Sequence, residues 1–175
     1  DNEKINDKAR KMINLDFGST ENRFNHNNLY WNYRLSGLQA ALGISQLKNL
    51  KYTIETKIRQ GEKYQELLSD YNEELQLPLR KLNNEKNHYW VFGVVLRNAE
   101  RSKVMEALGM DGIQTREFFW PLHMQNALPK DYQKKDIVLP ISENLGKNGF
   151  YLPLGAHINN KKQEYIVHKL INHLD

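Results

Sequence analysis

Residues 30–36, which read YWNYRLS, are the first with a clear chemical potential, because they directly precede a predicted helix start. They place the amide of Asn32, the guanidinium of Arg34 and the hydroxyl of Ser36 where free backbone N–H groups and the helix dipole favour an anion. A guanidinium can hold a phosphate through two parallel hydrogen bonds. The run therefore predicts an anion site. The alternative is that Asn32 and Ser36 only cap the helix and that Arg34 pairs with a surface carboxylate.

Residues 114–125, which read QTREFFWPLHMQ, are the second candidate, an aromatic strand end that continues through a proline to His123. Loops that leave a rigid strand often carry ligand contacts, and aromatic side chains with one or two polar groups suit a sugar or a nucleotide base. The local pattern by itself favours the alternative, a piece of hydrophobic core followed by a turn.

Several other kinds of chemistry have no motif in the sequence. The six histidines lie at positions 26, 88, 123, 157, 168 and 173, with no HExxH motif and no carboxylate spaced to complete a metal site, so we predict no metal. No GxSxG, GxGxxG or GxxxxGK motif occurs, which leaves serine hydrolases, Rossmann proteins and P-loop proteins without support. The absence of cysteine excludes disulfide and thiol chemistry.

Composition and charge indicate a globular protein of ordinary size, since 175 residues with 39% hydrophobic and 26% charged side chains fit one domain. The 25 basic residues are interleaved with 21 acidic ones, so the net charge of +4 does not predict nucleic-acid binding. The apolar runs are far shorter than the roughly 20 residues that cross a bilayer. The first residues form no apolar signal core, and we expect a cytoplasmic protein with no membrane segment.

Helical spacing of apolar residues predicts the elements that hold the first candidate. Residues 1–12 form one short helix, and residues 14–28, rich in asparagine, form a loop. Ser36 and Gln39 match a capping box, in which each side chain satisfies a free backbone donor of the other residue. The apolar stripe that follows predicts one long helix to Leu68, in which Gly61 either bends the helix or allows a close neighbour.

The second half of the chain alternates predicted strands and helices. Residues 71–87 form a connection with a short extended piece at 75–79. The predicted strands are residues 88–96, 113–119 and 150–154, and the predicted helices are residues 102–108, capped by Ser102, and a terminal helix capped by Asn160. This order predicts an α+β fold.

Together, the two candidates resemble a known family. Residues 32–47, NYRLSGLQAALGISQL, resemble the signature NYR(M/L)xxxQAAxGxxQL of the DegT-type sugar aminotransferases. Further runs resemble the C-terminal half of that family in the same order, at residues 88–92, 112–116, 121–125 and 152–154. The resemblance implies the small C-terminal domain of a fold-type I aminotransferase, with a long helix, a small and mostly antiparallel sheet and flanking helices. Residues 31–175 would form this domain, and residues 1–30 would be a remnant of the large cofactor-binding domain.

The resemblance also implies a function. Members of the family use pyridoxal phosphate to move an amino group, usually from glutamate, onto a keto group of a nucleotide-linked deoxy sugar such as the perosamine precursor. It implies a homodimer in which Asn32 and Arg34 reach the cofactor phosphate or the sugar nucleotide of the partner subunit. Tyr33, Trp120 and His123 would shape the substrate pocket.

The chain departs from the family pattern in one respect, because its first residue follows the segment that carries the Schiff-base lysine. Lys4, Lys8 and Lys48 are interpreted as surface charges, since covalent catalysis needs an activated amine that faces the cofactor. We therefore predict that this chain contains no catalytic residue. The parent protein would be an enzyme, and this chain alone would be inactive. The alternatives are a non-catalytic interaction module of the same fold and a basic domain that binds a ligand or a nucleic acid.

Overall fold

The computed structural model describes residues 2–17, 23–128 and 137–174 of the chain. The chain divides into two compact units, Asp1–Leu50 and Lys51–Asp175. The predicted division into residues 1–30 and 31–175 refers to the domains of a longer enzyme and stays a prediction. No helix in the described part of the chain is long and apolar enough to cross a membrane.

The first unit begins with helix α1, Glu3–Ile13, as the sequence predicts. The side chain of Asn2 caps it by accepting a hydrogen bond from the N–H of Ile5. The chain then turns sharply at Leu15 and Asp16, whose φ angles are 59° and 55°. Later in the unit the chain passes back beside this turn, where Asn14 and Asn32 form an antiparallel bridge.

Helix α2, Gly37–Lys48, confirms the predicted capping box, whereas the prediction of one continuous helix to Leu68 is wrong. The chain leaves the helical conformation at Asn49 and resumes it in helix α3, Leu50–Leu67. An asparagine side chain competes with helical hydrogen bonds, which explains why the break falls at this residue. Gly61 lies within α3, and the buried ring of Tyr89 occupies the space that a Cβ atom would need there.

The second unit is built on one antiparallel sheet. Its strands are β1 (Leu75–Gln76), β4 (Phe92–Leu96), β5 (Arg116–Glu117) and β6 (Gly149–Leu152), arranged in the order β1-β4-β6-β5. A separate hairpin, β2 (Lys81–Leu82) with β3 (Glu85–Lys86), was not predicted. Helices α4 (Arg101–Met110), α5 (Pro140–Asn148) and α6 (Asn160–Asn172) complete the unit. This mixture of helices and a small antiparallel sheet confirms the predicted α+β fold.

One hydrophobic core holds the second unit together. It joins α3, the sheet, α4 and α6 through fifteen buried side chains: Tyr64, Leu68, Leu75, Tyr89, Phe92, Val94, Leu96, Val104, Leu108, Ile113, Phe150, Leu152, Ile166, Val167 and Leu170. Burial of this much apolar surface is the main force that fixes the sheet and, with it, the loops at its ends.

Several predicted boundaries are wrong. Tyr89 adopts a φ of 49°, which strands do not allow, so β4 begins only at Phe92. Ser102 is not the cap of α4, since its hydroxyl donates to Glu100, and the helix continues through Gly109 to Met110. The strand predicted at 113–119 is reduced to β5, and α5 was not predicted. The cap of α6 is Asn159, whose side chain accepts from the N–H of Lys162.

Candidate functional site

In the first unit, Asn32 and Arg34 form a compact polar group before α2. The side-chain oxygen of Asn32 accepts hydrogen bonds from the backbone N–H of Arg34 at 3.2 Å and from its Nε at 3.1 Å. The guanidinium carbon of Arg34 lies 5.6 Å from the ring centroid of Phe17, within the range of a cation–π contact. Both side chains are exposed. Among the described residues, no carboxylate forms an ion pair with Arg34.

The side chains of Ser36 and Gln39 satisfy two of the free N–H groups at the start of α2. Ser36 accepts from the N–H of Gln39 at 3.3 Å, and Gln39 accepts from the N–H of Ser36 at 2.9 Å. The hydroxyl of Ser36 is therefore a helix cap, which agrees with the structural interpretation of that residue. The N–H groups of Gly37 and Leu38 are the first-turn donors that this capping box leaves for solvent or an anion.

Asp16, which sequence reasoning missed, fixes the loop behind this group. It is buried and accepts three hydrogen bonds, from the N–H of Asn27 at 3.1 Å, and from the N–H and side-chain amide of Asn28 at 2.8 and 3.0 Å. The amide of Asn28, more than any other group, holds the pKa of Asp16 below its ordinary value. The signal that could have revealed this anchor is the density of asparagine in residues 25–28.

Tyr33 has a fixed backbone and a free ring. Its N–H donates to the carbonyl of Ile13 at 2.9 Å, while 69% of the residue is exposed. The phenol ring of Tyr33 is therefore exposed, on a main chain that this hydrogen bond fixes.

In the second unit, His123 lies in a 3-10 turn, Leu122–Met124, after β5. Its Nε2 is 3.0 Å from an oxygen of Glu143 on α5, and only 12% of the imidazole side chain is exposed. The same Glu143 oxygen accepts the N–H of Leu139 at 2.8 Å. That N–H, and then His123, hold the pKa of Glu143 below its ordinary value, so the side chain is a carboxylate. Sequence reasoning missed Glu143.

The aromatic run before His123 divides between interior and surface. The ring of Phe118 fills the space beside Gly93 and Gly149 and stacks on Tyr151 at a centroid distance of 4.7 Å. Trp120, by contrast, is 47% exposed. Phe118 is thus half-buried and packed against the sheet, whereas Trp120 is accessible to solvent, so the run has features of both interpretations of the sequence pattern.

A half-open cavity of about 640 Å³ lies between β5, the end of β6 and the start of α6. Arg116, His157 and Lys162 are the basic residues among the described residues that line it, and none of those described residues carries a carboxylate. Neither Trp120 nor His123 lines it. Within residues 2–17, 23–128 and 137–174, no three histidine or carboxylate side chains come together in a way that could hold a metal ion.

The described residues fit one end of a pyridoxal phosphate molecule. The terminal nitrogens of Arg34 make no hydrogen bond to a described residue, and its Nε is held by the side-chain oxygen of Asn32. Arg34 precedes the first residue of α2 by three positions, so the guanidinium and the free N–H groups of that helix belong to one short segment suited to a phosphate. Lys4, Lys8 and Lys48 are exposed positions on helices and show no feature of an activated amine.

Comparison with known proteins gives a consistent result. GDP-perosamine synthase of Escherichia coli O157:H7 is 29% identical over 143 residues, which cover 81% of this chain and 37% of that protein. The aminotransferase TlmJ of Streptoalloteichus hindustanus superimposes with a TM-score of 0.85 at 20% identity, over 98% of this chain and 45% of that one. Helicobacter pylori PseC, an aminotransferase involved in the biosynthesis of pseudoaminic acid, superimposes with a TM-score of 0.82 at 19% identity, over 99% of this chain and 47% of that one.

The chain therefore spans less than half the length of the relatives that it matches. At 19–20% sequence identity, the likeness to the structures of TlmJ and PseC establishes the fold alone. The sequence model of the DegT/DnrJ/EryC1/StrS aminotransferase family matches residues 1–171, nearly the whole chain. Complete enzymes of that family depend on pyridoxal phosphate. The match confirms the resemblance found in residues 32–47, and the chain belongs to the DegT/DnrJ/EryC1/StrS aminotransferase family.

Proposed function

We propose that this chain is the C-terminal portion of a pyridoxal-phosphate-dependent aminotransferase that transfers an amino group from glutamate to a keto group of a nucleotide-linked deoxy sugar. The observation that carries the proposal is the family match over residues 1–171. It is supported by an exposed polar pair, Asn32 and Arg34, in which Arg34 forms no ion pair with a described carboxylate. The name of the E. coli relative makes a GDP-linked 4-keto-6-deoxy sugar the first substrate to test.

Asn32 and Arg34 would bind and orient a phosphate. The hydrogen bonds that Asn32 accepts from the N–H and Nε of Arg34 limit the rotation of the guanidinium, and Phe17 covers one of its faces. A preorganised guanidinium loses less entropy when it binds an anion. Bound pyridoxal phosphate supplies an electron sink for the reaction, and the protein supplies binding, orientation and exclusion of water.

Trp120, His123 and Tyr33 would contact the sugar nucleotide. Trp120 and Tyr33 offer exposed aromatic faces on which a sugar ring or a base can stack. His123, which follows Trp120 by three residues, offers a ring nitrogen in an orientation that Glu143 fixes. Each of these roles is a proposal about binding, and none of these side chains is assigned a covalent step.

A homodimer is part of the proposal. Helix α2 buries none of its residues, although Leu38, Leu42 and Leu47 are apolar and more than 60% exposed. Apolar side chains in such numbers on one helix indicate a protein interface. A second protomer, together with the rest of the enzyme, is the occupant that the family suggests.

The test is to express the longer protein that carries this chain and to assay it with glutamate and GDP-4-keto-6-deoxymannose, with mass detection of the aminated sugar nucleotide. Arg34→Ala should weaken pyridoxal phosphate binding, and Lys48→Ala is the matched control for removal of one exposed cation. Absence of aminated product with any nucleotide-linked keto sugar would reject the proposal. Equal cofactor affinity of both variants would reject the role of Arg34.

The exposed apolar side chains of α2 also favour a second candidate, a non-catalytic interaction module of the same fold. This candidate predicts stable association of the chain with a partner protein and no turnover in the longer protein. Turnover in the assay above excludes it.

A further inference from the structure

We propose that Glu143 is a positioning residue, which holds His123 as the Nε2–H tautomer so that Nδ1 becomes a hydrogen-bond acceptor for a hydroxyl or amino group of the substrate. The inference rests on the proposed function for the identity of the substrate, whereas the state of the imidazole follows from this chain alone. Glu143 lies on α5, apart from the loop that carries His123, and sequence reasoning did not select it.

The carboxylate itself is fixed by the start of α5. Two hydrogen bonds join Leu139 and Glu143. The N–H of Glu143 donates to the Leu139 carbonyl at 2.9 Å, and the N–H of Leu139 donates to a side-chain oxygen of Glu143 at 2.8 Å. Pro140, the first residue of α5, needs no hydrogen-bond acceptor for its nitrogen and presets the helical φ angle. The Glu143 oxygen that faces His123 is therefore located by main-chain hydrogen bonds.

The segment that carries His123 is fixed against the same helix. Pro121 is buried, and its ring fills the space beside Gly146, where an added Cβ would lie 2.6 Å from the proline Cδ. Arg101 donates to the carbonyl of Gly146 at 2.6 Å and pairs with Glu117 of β5 at 3.0 Å. Arg101 thus ties α5 to the strand that leads into the loop, which keeps the carboxylate and the imidazole together.

An ionised carboxylate can only accept hydrogen bonds, so Nε2 of His123 must carry the proton that it shares with Glu143 at 3.0 Å. In the neutral imidazole, Nδ1 then bears a lone pair. Nδ1 makes no hydrogen bond to a described residue, and we assign this lone pair to a ligand. An imidazole held in one tautomer by a carboxylate is the arrangement by which proteins aim one ring nitrogen at a reacting or bound molecule.

A second carboxylate–histidine pair among the described residues of this unit shows why the first one is singled out. Asp111 contacts His173, the residue that follows α6, at 2.8 Å, but it also pairs with Lys169 of α6 at 2.6 Å. That cluster joins the end of α4 to α6 and belongs to no candidate binding loop. Glu143 has one imidazole partner, on the loop that also presents Trp120.

The first experiment reads the tautomer directly. Long-range ¹H–¹⁵N correlation spectra of the ¹⁵N-histidine-labelled 175-residue chain, assigned with His123→Gln, should show Nδ1 of His123 as an unprotonated, pyridine-type nitrogen. Glu143→Gln keeps the shape and an acceptor for Leu139 but loses the charge, and it should mix the two tautomers. Glu106→Gln, an exposed carboxylate on α4, is the matched control and should leave His123 unchanged. His168, paired with an amide, should not respond to either change.

Two NMR outcomes would overturn the inference: a protonated Nδ1 in the neutral imidazole, or a His123 spectrum identical in the native chain and Glu143→Gln. Both readings are independent of catalysis, so they separate this inference from the proposed function.

The second experiment is a double-mutant cycle on kcat/KM in the longer enzyme. Loss of one hydrogen bond to a charged group should lower kcat/KM by about tenfold in Glu143→Gln. Glu143→Gln should have no further effect once His123→Ala is present, because it acts through that ring. Additive losses would mark Glu143 as a structural cap and overturn its positioning role. If His123→Ala alone leaves kcat/KM unchanged, the substrate-contact role of His123 fails, even where the NMR result holds.

Discussion

Gly146→Ala is expected to move the loop that carries His123, because this glycine has no room for a side chain. A Cβ atom would lie 2.6 Å from Cδ and 3.0 Å from Cγ of Pro121. Carbon atoms prefer separations of about 3.5–4.0 Å, so the shortfall is about 1 Å. The proline ring is rigid and part of the main chain, and the main chain itself has to shift.

The expected cost combines two opposing effects. Overpacking of a well-packed site costs about 1–3 kcal/mol, and replacement of a helical glycine by alanine returns up to about 1 kcal/mol. The net loss in the free energy of unfolding is therefore about 0–3 kcal/mol, or up to roughly 12 °C in Tm for a chain of this size. The imidazole signals of His123 should shift as well, since Pro121 lies two residues before it.

Gly109→Ala provides the matched control. Gly109 is also near the C-terminal end of its helix, α4, and an added Cβ would meet no heavy atom within 4 Å. This change should raise stability by about 0.5–1 kcal/mol and leave His123 undisturbed. Urea unfolding followed by circular dichroism measures both variants. A Gly146→Ala chain as stable as Gly109→Ala, with unchanged His123 signals, would refute the packing argument.

Three further predictions concern the supports of the two units. Ser36→Ala removes one side of the capping box and should cost about 1 kcal/mol in α2, measured as faster amide exchange at Gln39. Leu108→Ala creates a cavity in the core and should cost about 2–5 kcal/mol in urea unfolding, against a small effect of exposed Leu79→Ala. Lys169 and then His173 hold the pKa of Asp111 below 3.8, so ionised Asp111 stabilises the fold above that pH and loses this effect as the pH falls. Asp111→Asn should therefore be less stable than the native chain near neutral pH, with a difference that shrinks in acid; a constant difference would contradict the ion-pair explanation.

The parts of the fold that sequence predicts correctly depend on local signals. The capping box at Ser36 and Gln39 involves residues three apart, and the stripes of α1 and α6 repeat within each helix. The break at Asn49 was missed because the apolar pattern continues across it. Strand ends were missed where contacts from distant residues decide them, as at Tyr89, whose buried ring packs on Gly61 and forces a backbone angle that strands exclude.

The candidate site likewise contains residues that local sequence signals predict and residues that only distant contacts define. Asn32, Arg34 and the aromatic run were proposed from the sequence because their side chains are adjacent in sequence to a helix start or a strand end, and their roles stay predictions. Glu143 lies 20 residues after His123, and Asp16 lies 11 and 12 residues before the two asparagines that it binds, at spacings that follow no secondary-structure period. In both cases the carboxylate binds a main-chain N–H as well as a side chain. A candidate binding residue can thus be proposed from its type. The acid that contacts it comes from a distant part of the chain, and only the fold shows that position.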